Sequence, residues 1–265
     1  MSNIPVITVS GKNMPEAWEK AVLATWERGV TVKTEYDKEG DPPSKDCTMI
    51  MEVEDPMSEP RIHRAFPGGL GDLEMYRQEV MDGIHDNRVD PVDGYHYSYH
   101  QRFFEYPGCN VEVDQIEYIV EKLSETTYSR RAQAITWNVD LDPPVDDPPC
   151  LQRLWCRIVG EEEPVLSMNT HWRSRDGYKA AFMNIFALTE LQKSIAQRIG
   201  ENLGREVKVG RYVDIADSFH IYGSYYEEFK GFLQTIEARS FEERTWNTEF
   251  AETIFAETRE RLKME

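Results

Sequence analysis

The stretch "YKAAFMNIFALTELQKSIAQRIG", residues 178 to 200, constrains the fold more than any other. Its apolar residues at 182, 185, 186, 188, 191, 195 and 199 recur near helical spacing, which predicts a mostly buried helix ended by Gly200. The segments around it alternate as strands do. "CTMIMEVEDP" sets Met49, Met51 and Val53 on one face. "RRAQAITWNVDLD", "CLQRLWCRIV", "VLSMNTHWRSRD" and "RYVDIADSFHIYG" read as further strands. "PEAWEKAVLATWERGV", "LEMYRQEVMDGI", "VDQIEYIVEKLSETTYS" and the charged segment from Tyr225 read as helices. No repeat, low-complexity run or long linker divides the chain, so one α+β domain over residues 1–265 is expected.

The bulk properties exclude several classes of function. A formal net charge of −18 argues against nucleic acid as a partner, because phosphate backbones need a basic footprint. A small anionic substrate stays possible where arginines cluster locally against the global field. No apolar run is long enough to span a bilayer. The start, "MSNIPVITVSGKNMPEAW", lacks the basic and apolar regions of a signal peptide, which points to the cytosol. Cys47, Cys109, Cys150 and Cys156 form no C-x-x-C pair and are expected as free thiols. His96 and His100 have helical i, i+4 spacing, but the intervening Tyr-Ser-Tyr suits a strand better and no H-E-x-x-H motif accompanies them, so no metal is expected.

Several stretches are able to carry chemistry. In "DDPPCLQRLWCRIVG" two prolines hold the chain extended and withhold two backbone donors, setting Cys150 at a defined strand entrance. Cys156, inside the same strand, fits an inert buried thiol. Arg130 and Arg131 stand side by side at a helix-to-strand junction, where strand geometry would send them to opposite faces. Arg173 and Ser174 in "HWRSRD" suit hydrogen bonding to a phosphate. Asn184, inside the apolar helix, carries an amide that must be satisfied and that matches the donor–acceptor edge of a uracil ring. His220 and Tyr222, two apart, share a strand face suited to a sugar hydroxyl or to half-buried packing. "DGYHYSYHQRFFEYPG" is dense in aromatic residues, as either a core filler or a pocket wall.

Taken in order, SRR, PPC at a strand start, RSxD, an asparagine in an apolar helix and HIY on a strand resemble the thymidylate synthase family, which includes the pyrimidine hydroxymethylases. The strong part of the resemblance runs from about Tyr128 to Tyr222. It implies an α+β fold around a large mixed β-sheet with flanking helices, dimerising through a sheet face. It implies that Cys150 adds to C6 of a pyrimidine nucleoside monophosphate, making C5 nucleophilic toward the methylene of 5,10-methylenetetrahydrofolate or a related pterin. Arg173 and Ser174 match phosphate ligands, and Arg130 and Arg131 match arginines lent across a homodimer interface. Asp176 matches a carboxylate near the pyrimidine and folate. Asn184 matches the residue that reads the base, and His220 with Tyr222 the contacts to the ribose 3′-hydroxyl. Glu79, in "RQEVMDGI", is the candidate for proton transfer through water, and Lys45, in "PSKD", for the N-terminal phosphate cation.

The departures are specific. Leu151 follows the cysteine where synthases usually carry histidine, Ala180 and Ala181 stand where the family tends to glycine and proline, and the C-terminus "ETRERLKME" is charged rather than apolar. An apolar tail closes the site and excludes water. With water excluded, the exocyclic methylene takes hydride and becomes methyl; with water admitted, it becomes hydroxymethyl. Asn184 favours uracil and methylation of dUMP, the preferred expectation, whereas Leu151 and the tail favour hydroxymethylation of dUMP, dCMP or a ribonucleotide. A nucleotide-binding protein that has lost turnover is the reading from a different class.

Overall fold

A computed structural model describes residues 3–90, 95–108 and 111–263. Strands in chain order are β1 (Val6–Gly11), β2 (Val30–Val32), β3 (Ser44–Val53), β4 (Ile62–His63), β5 (Tyr106–Pro107) and β6 (Glu112–Val113). They continue as β7 (Gln133–Ile135), β8 (Leu151–Val159), β9 (Val165–Trp172), β10 (Arg175–Asp176), β11 (Lys208–Ile221) and β12 (Thr245–Trp246). The helices are α1 (Met14–Arg28), α2 (Leu70–Asp82), α3 (Tyr99–Phe104), α4 (Gln115–Glu125), α5 (Ala181–Leu203), α6 (Tyr226–Ala238) and α7 (Thr248–Leu262).

Eight strands form one sheet in the order β1-β3-β11-β9-β8-β7, with β2 added beside β3 and β10 beside β11. Its pairings are mixed: β1 runs parallel to β3, β11 is antiparallel to β3 but parallel to β9, and β8 is antiparallel to both β7 and β9. The expected alternation in β3 holds, with Met49, Met51 and Val53 fully buried. Helix α5 lies against β9 and β11, α1 against β1 and β3, and α2 packs over α5. On the opposite sheet face, Ile50, Val213, Ile215, Asn169, His171, Arg153 and Trp155 are all half-buried or exposed. These residues form rows across the strands: Ile50, Ile215, His171 and Arg153 are register partners, as are Val213, Asn169 and Trp155.

Four segments differ from the sequence expectation. Helix α5 runs past Gly200 and ends at Gly204, which supplies the left-handed cap at φ 65°. Gly200 is small for another reason: a Cβ there would stand 2.8 Å from the Arg205 carbonyl of the returning chain. The strand expected in "RRAQAITWNVDLD" is confined to Gln133–Ile135. The Tyr-Ser-Tyr segment is not a strand, since Ser98 caps α3 by accepting from the Gln101 amide. The charged C-terminal segment is two helices, α6 and α7, separated by β12.

Helix α1 reaches the loop after β10 through Trp18, whose indole Nε1 donates to the Gly177 carbonyl at 2.8 Å. Its ring packs edge-on against Phe182 and Phe232 at 5.4 and 5.5 Å. That contact fixes the segment between Asp176 and α5, from which much of the candidate site is built.

Candidate active site

The proline pair defines the entrance to β8 and also supplies acceptors. Pro148 and Pro149 have no N–H, but their carbonyls accept from Arg173 Nη2 at 2.6 Å and Nε at 3.1 Å. The same Nη2 stands 3.7 Å from Cys150 Sγ, and the Arg173 amide donates to the Cys150 carbonyl at 2.9 Å. One guanidinium therefore holds the extended loop and places positive charge beside the thiol.

Cys150 is partly accessible, whereas Cys47 and Cys156 are buried, and Cys109 lies outside the described residues. Burial pushes the Cys47 thiol up to about 11 and that of Cys156 up to about 12. Burial also raises the Cys150 thiol; Arg173 opposes the shift, and Asp147 and Asp176 reinforce it. Burial thus favours the neutral thiol, with the cation that would favour its ionised form already in contact.

Cys150, Arg173, Ser174, Tyr222 and Asp147 line a cavity of about 590 Å³, together with Tyr36 and Lys38 from the segment between β2 and β3. That segment is pinned over the site. Tyr226 Oη donates to the Pro43 carbonyl at 2.7 Å, and the Tyr36 ring meets that of Tyr222 edge-on at 6.4 Å. Gly223 permits the crossing, because a Cβ there would fall 1.7 Å from the Pro42 carbonyl oxygen.

A second cavity of about 380 Å³ shares Asp147 with the first and is lined by Tyr76, Glu79, His85, Tyr97 and Tyr99. The aromatic-rich segment therefore both fills the core and walls a pocket. Tyr99 Oη accepts from the Leu151 amide at 3.1 Å, tying that wall to the residue after the thiol. Burial raises the Tyr76, Tyr97 and Tyr99 phenols far above their ordinary range, so all three remain neutral hydroxyl donors.

Each expected site residue has a definite place. Asp176 Oδ1 accepts from the amides of Tyr178 and Lys179 at 3.1 and 2.9 Å, and burial raises its carboxyl to about 6. In the parallel register Asp176 stands beside His220. His220 is buried and its ring meets Tyr222 at 4.6 Å, so the pair does come together at the end of β11. Glu79 faces the second cavity with its carboxylate bonded to His85 Nδ1 at 2.6 Å. Asn184 is engaged at both ends: its Oδ1 accepts from Arg175 Nη1 at 2.6 Å and its Nδ2 donates to Tyr76 Oη. Arg130 and Arg131 are exposed and off both cavities, and the Arg130 carbonyl accepts from Trp155 Nε1 at 3.0 Å. Lys45 does not line the first cavity; its ammonium lies 3.5 Å from the Gly29 carbonyl. Lys38 supplies a cation there instead, and Asp147 and Tyr76 complete what sequence reading missed. Leu151 is fully buried, so the position after the thiol offers the cavity no polar group.

This geometry sets a partly accessible thiol beside a guanidinium at the wall of one cavity, with a second cavity adjoining. Residues 70–265 match the family model described as thymidylate synthase. Proteins carrying the name "Putative thymidylate synthase" are similar over most of the chain. That of Methanosarcina mazei is 28% identical over 214 residues, covering 81% of this chain and 88% of its own. That of Methanocaldococcus jannaschii is 29% identical over 223 residues, covering 82% and 91%. The solved structure of thermostable thymidylate synthase A from Bacillus subtilis has the same fold, with a TM-score of 0.59 at 21% identity over 82% of this chain and 83% of that one.

Proposed function

From the premise that the chain belongs to the thymidylate synthase family and is a one-carbon transferase, we propose that it acts on dUMP to give dTMP, by a covalent adduct of Cys150 at C6. The observation that carries this reading is the Arg173 guanidinium spanning the Pro148 and Pro149 carbonyls and the Cys150 sulfur at the wall of one cavity.

In this account Arg173, Ser174 and Lys38 hold the phosphate, and Arg130 and Arg131 reach the phosphate site of a second copy across a homodimer interface. Arg173 favours the thiolate as Cys150 attacks C6. The sulfur–carbon bond then leaves the electron pair at C5, delocalised toward O4, and the neutral phenols and the Asn184–Tyr76 pair are donors for that developing charge. Glu79 moves protons through water at the adjoining cavity, and Asp176 orients pyrimidine and pterin. The second cavity, walled by tyrosines and sharing Asp147 with the first, suits a flat pterin ring. The bound 5,10-methylenetetrahydrofolate, or a related pterin, supplies the one-carbon unit that C5 accepts. The rest of the chemistry is positioning by this chain.

Hydroxymethylation is the second reading. Fully buried Leu151 and a C-terminal helix carrying Arg259 and Arg261 in its last turn favour it, since neither supplies a polar base contact or an apolar cover. Incubation with 5,10-methylenetetrahydrofolate and, separately, dUMP, dCMP, UMP and CMP decides between the two. A methyl mass gain on dUMP with equal dihydrofolate supports the synthase, and a hydroxymethyl gain without dihydrofolate overturns it in favour of the hydroxymethylase.

A further inference from the structure

The register of β11 against β3 slips between Ala216 and Phe219, and at this bulge three polar side chains stand in a row that ends at His220, the ring neighbour of cavity-lining Tyr222. Asp46 of β3 is the register partner of His220. Ser218 lies between them and donates its hydroxyl to Asp46 Oδ2 at 2.7 Å. The hydroxyl has one proton, and the carboxylate takes it. Toward His220 Nδ1, 3.3 Å away, the same oxygen can then only accept. The Ser218 carbonyl, 3.4 Å from Nδ1, can only accept as well. Both neighbours therefore demand the imidazole proton on Nδ1. Nε2 is left with a bare lone pair, buried and without a partner among the described residues. Burial lowers the imidazole to about 4, so the ring stays neutral at physiological pH.

A buried acceptor without a donor is costly until a ligand supplies one. The His220 ring packs on Tyr222, which lines the cavity. Resting on the reading that this cavity holds a nucleoside monophosphate, we infer that Asp46 is a positioning residue: through Ser218 it fixes His220 as an acceptor-only group that selects nucleotides with a free 3′-hydroxyl. A 3′-phosphate, or the phosphodiester of a polymer, presents only acceptors at that point and is repelled. A 3′-deoxy sugar leaves Nε2 unpaired.

The test combines ¹⁵N-histidine NMR with titration by dUMP, 2′,3′-dideoxyuridine monophosphate and deoxyuridine 3′,5′-bisphosphate. In the wild-type protein His220 carries its proton on Nδ1, and dUMP binds about tenfold more tightly than the dideoxy compound, as one hydrogen bond allows. Asp46→Ala releases the Ser218 hydroxyl to donate to Nδ1, so the Nε2–H form appears and the preference falls toward unity. Asp46→Asn keeps an accepting oxygen and retains the preference. The double variant Asp46→Ala/Ser218→Ala removes the competing donor and restores it, which a purely structural role for Asp46 does not predict. A proton on Nε2 in the wild-type protein, or a double variant as indiscriminate as Asp46→Ala alone, overturns the inference. Equal affinity of the wild-type protein for dUMP and the dideoxy compound sinks the relay and leaves the nucleotide reading standing. Failure to bind any of the three defeats the nucleotide reading, and the sugar selection with it.

Discussion

At the residue scale, the proposed nucleophile is distinguished by its neighbours. Cys150 and Cys156 lie six positions apart, yet only the first touches a guanidinium and a cavity. Because burial raises the Cys150 thiol and Arg173 opposes the rise, kcat/KM is expected to increase with pH above neutrality. Arg173→Lys loses the fork that spans both proline carbonyls, so that limb moves to higher pH; an unchanged pH–rate profile counts against the pairing. Cys150→Ser should abolish transfer while leaving dUMP binding measurable. His220 gives a stability prediction. Its folded value of about 4 lies below the ordinary 6.5, so its contribution is present above pH 6.5 and is lost as pH falls toward 4. Denaturant titrations of His220→Asn should show a shallower loss over that window than the wild type. The cysteine, Arg173 and Ser174 were legible because each sits next to a local signal, the prolines or the end of a strand. Lys38 was not, because its place depends on a loop crossing that no local pattern encodes, and Lys45 turned out to point toward the Gly29 carbonyl.

At the element scale, the site hangs on short connections between long elements. Gly223→Ala drives a methyl into the Pro42 carbonyl and should displace the segment bearing Tyr36 and Lys38. The expected result is a raised KM for nucleotide and a loss of about 1–3 kcal/mol in stability by chemical denaturation. Arg175 and Asp214 join β10 to β11 by a buried ion pair at 2.7 Å, and the Arg175 guanidinium also stacks 3.5 Å from the Trp172 ring centroid. Asp214→Ala strands that cation and should cost about 3–5 kcal/mol. Periodicity revealed α1, α2, α4 and α5 because each pairs a broad apolar face with the core. It stopped short at Gly200, since a small residue permits a close approach as well as a helix end. It overran in β7, where only Gln133–Ile135 pair with β8, although Thr136 still donates its amide to the Gln152 carbonyl.

At the scale of the whole molecule, one face of the sheet is covered by helices and the other keeps Ile50, Ile215 and Trp155 partly open to solvent. That face is the surface proposed for dimerisation, and Trp155 connects it to the segment bearing Arg130 through their hydrogen bond. Sedimentation velocity of Ile215→Glu should therefore show dissociation, with activity lost in parallel; a fully active monomer contradicts the shared-arginine proposal. The α+β class and the family were readable from ordered short motifs because the chemistry fixes residue types at fixed places along the fold. The uncovered face was not, since half-buried alternation looks the same whether solvent or a second copy lies opposite. Every step proposed for this chain starts from addition of Cys150 to C6 of a pyrimidine nucleotide. The most direct measurement is intact and peptide mass spectrometry after incubation with 5-fluoro-dUMP and 5,10-methylenetetrahydrofolate. The expected product is a covalent complex whose added mass maps to the Cys150 peptide and is absent in Cys150→Ser. No adduct, or one on another residue, contradicts it.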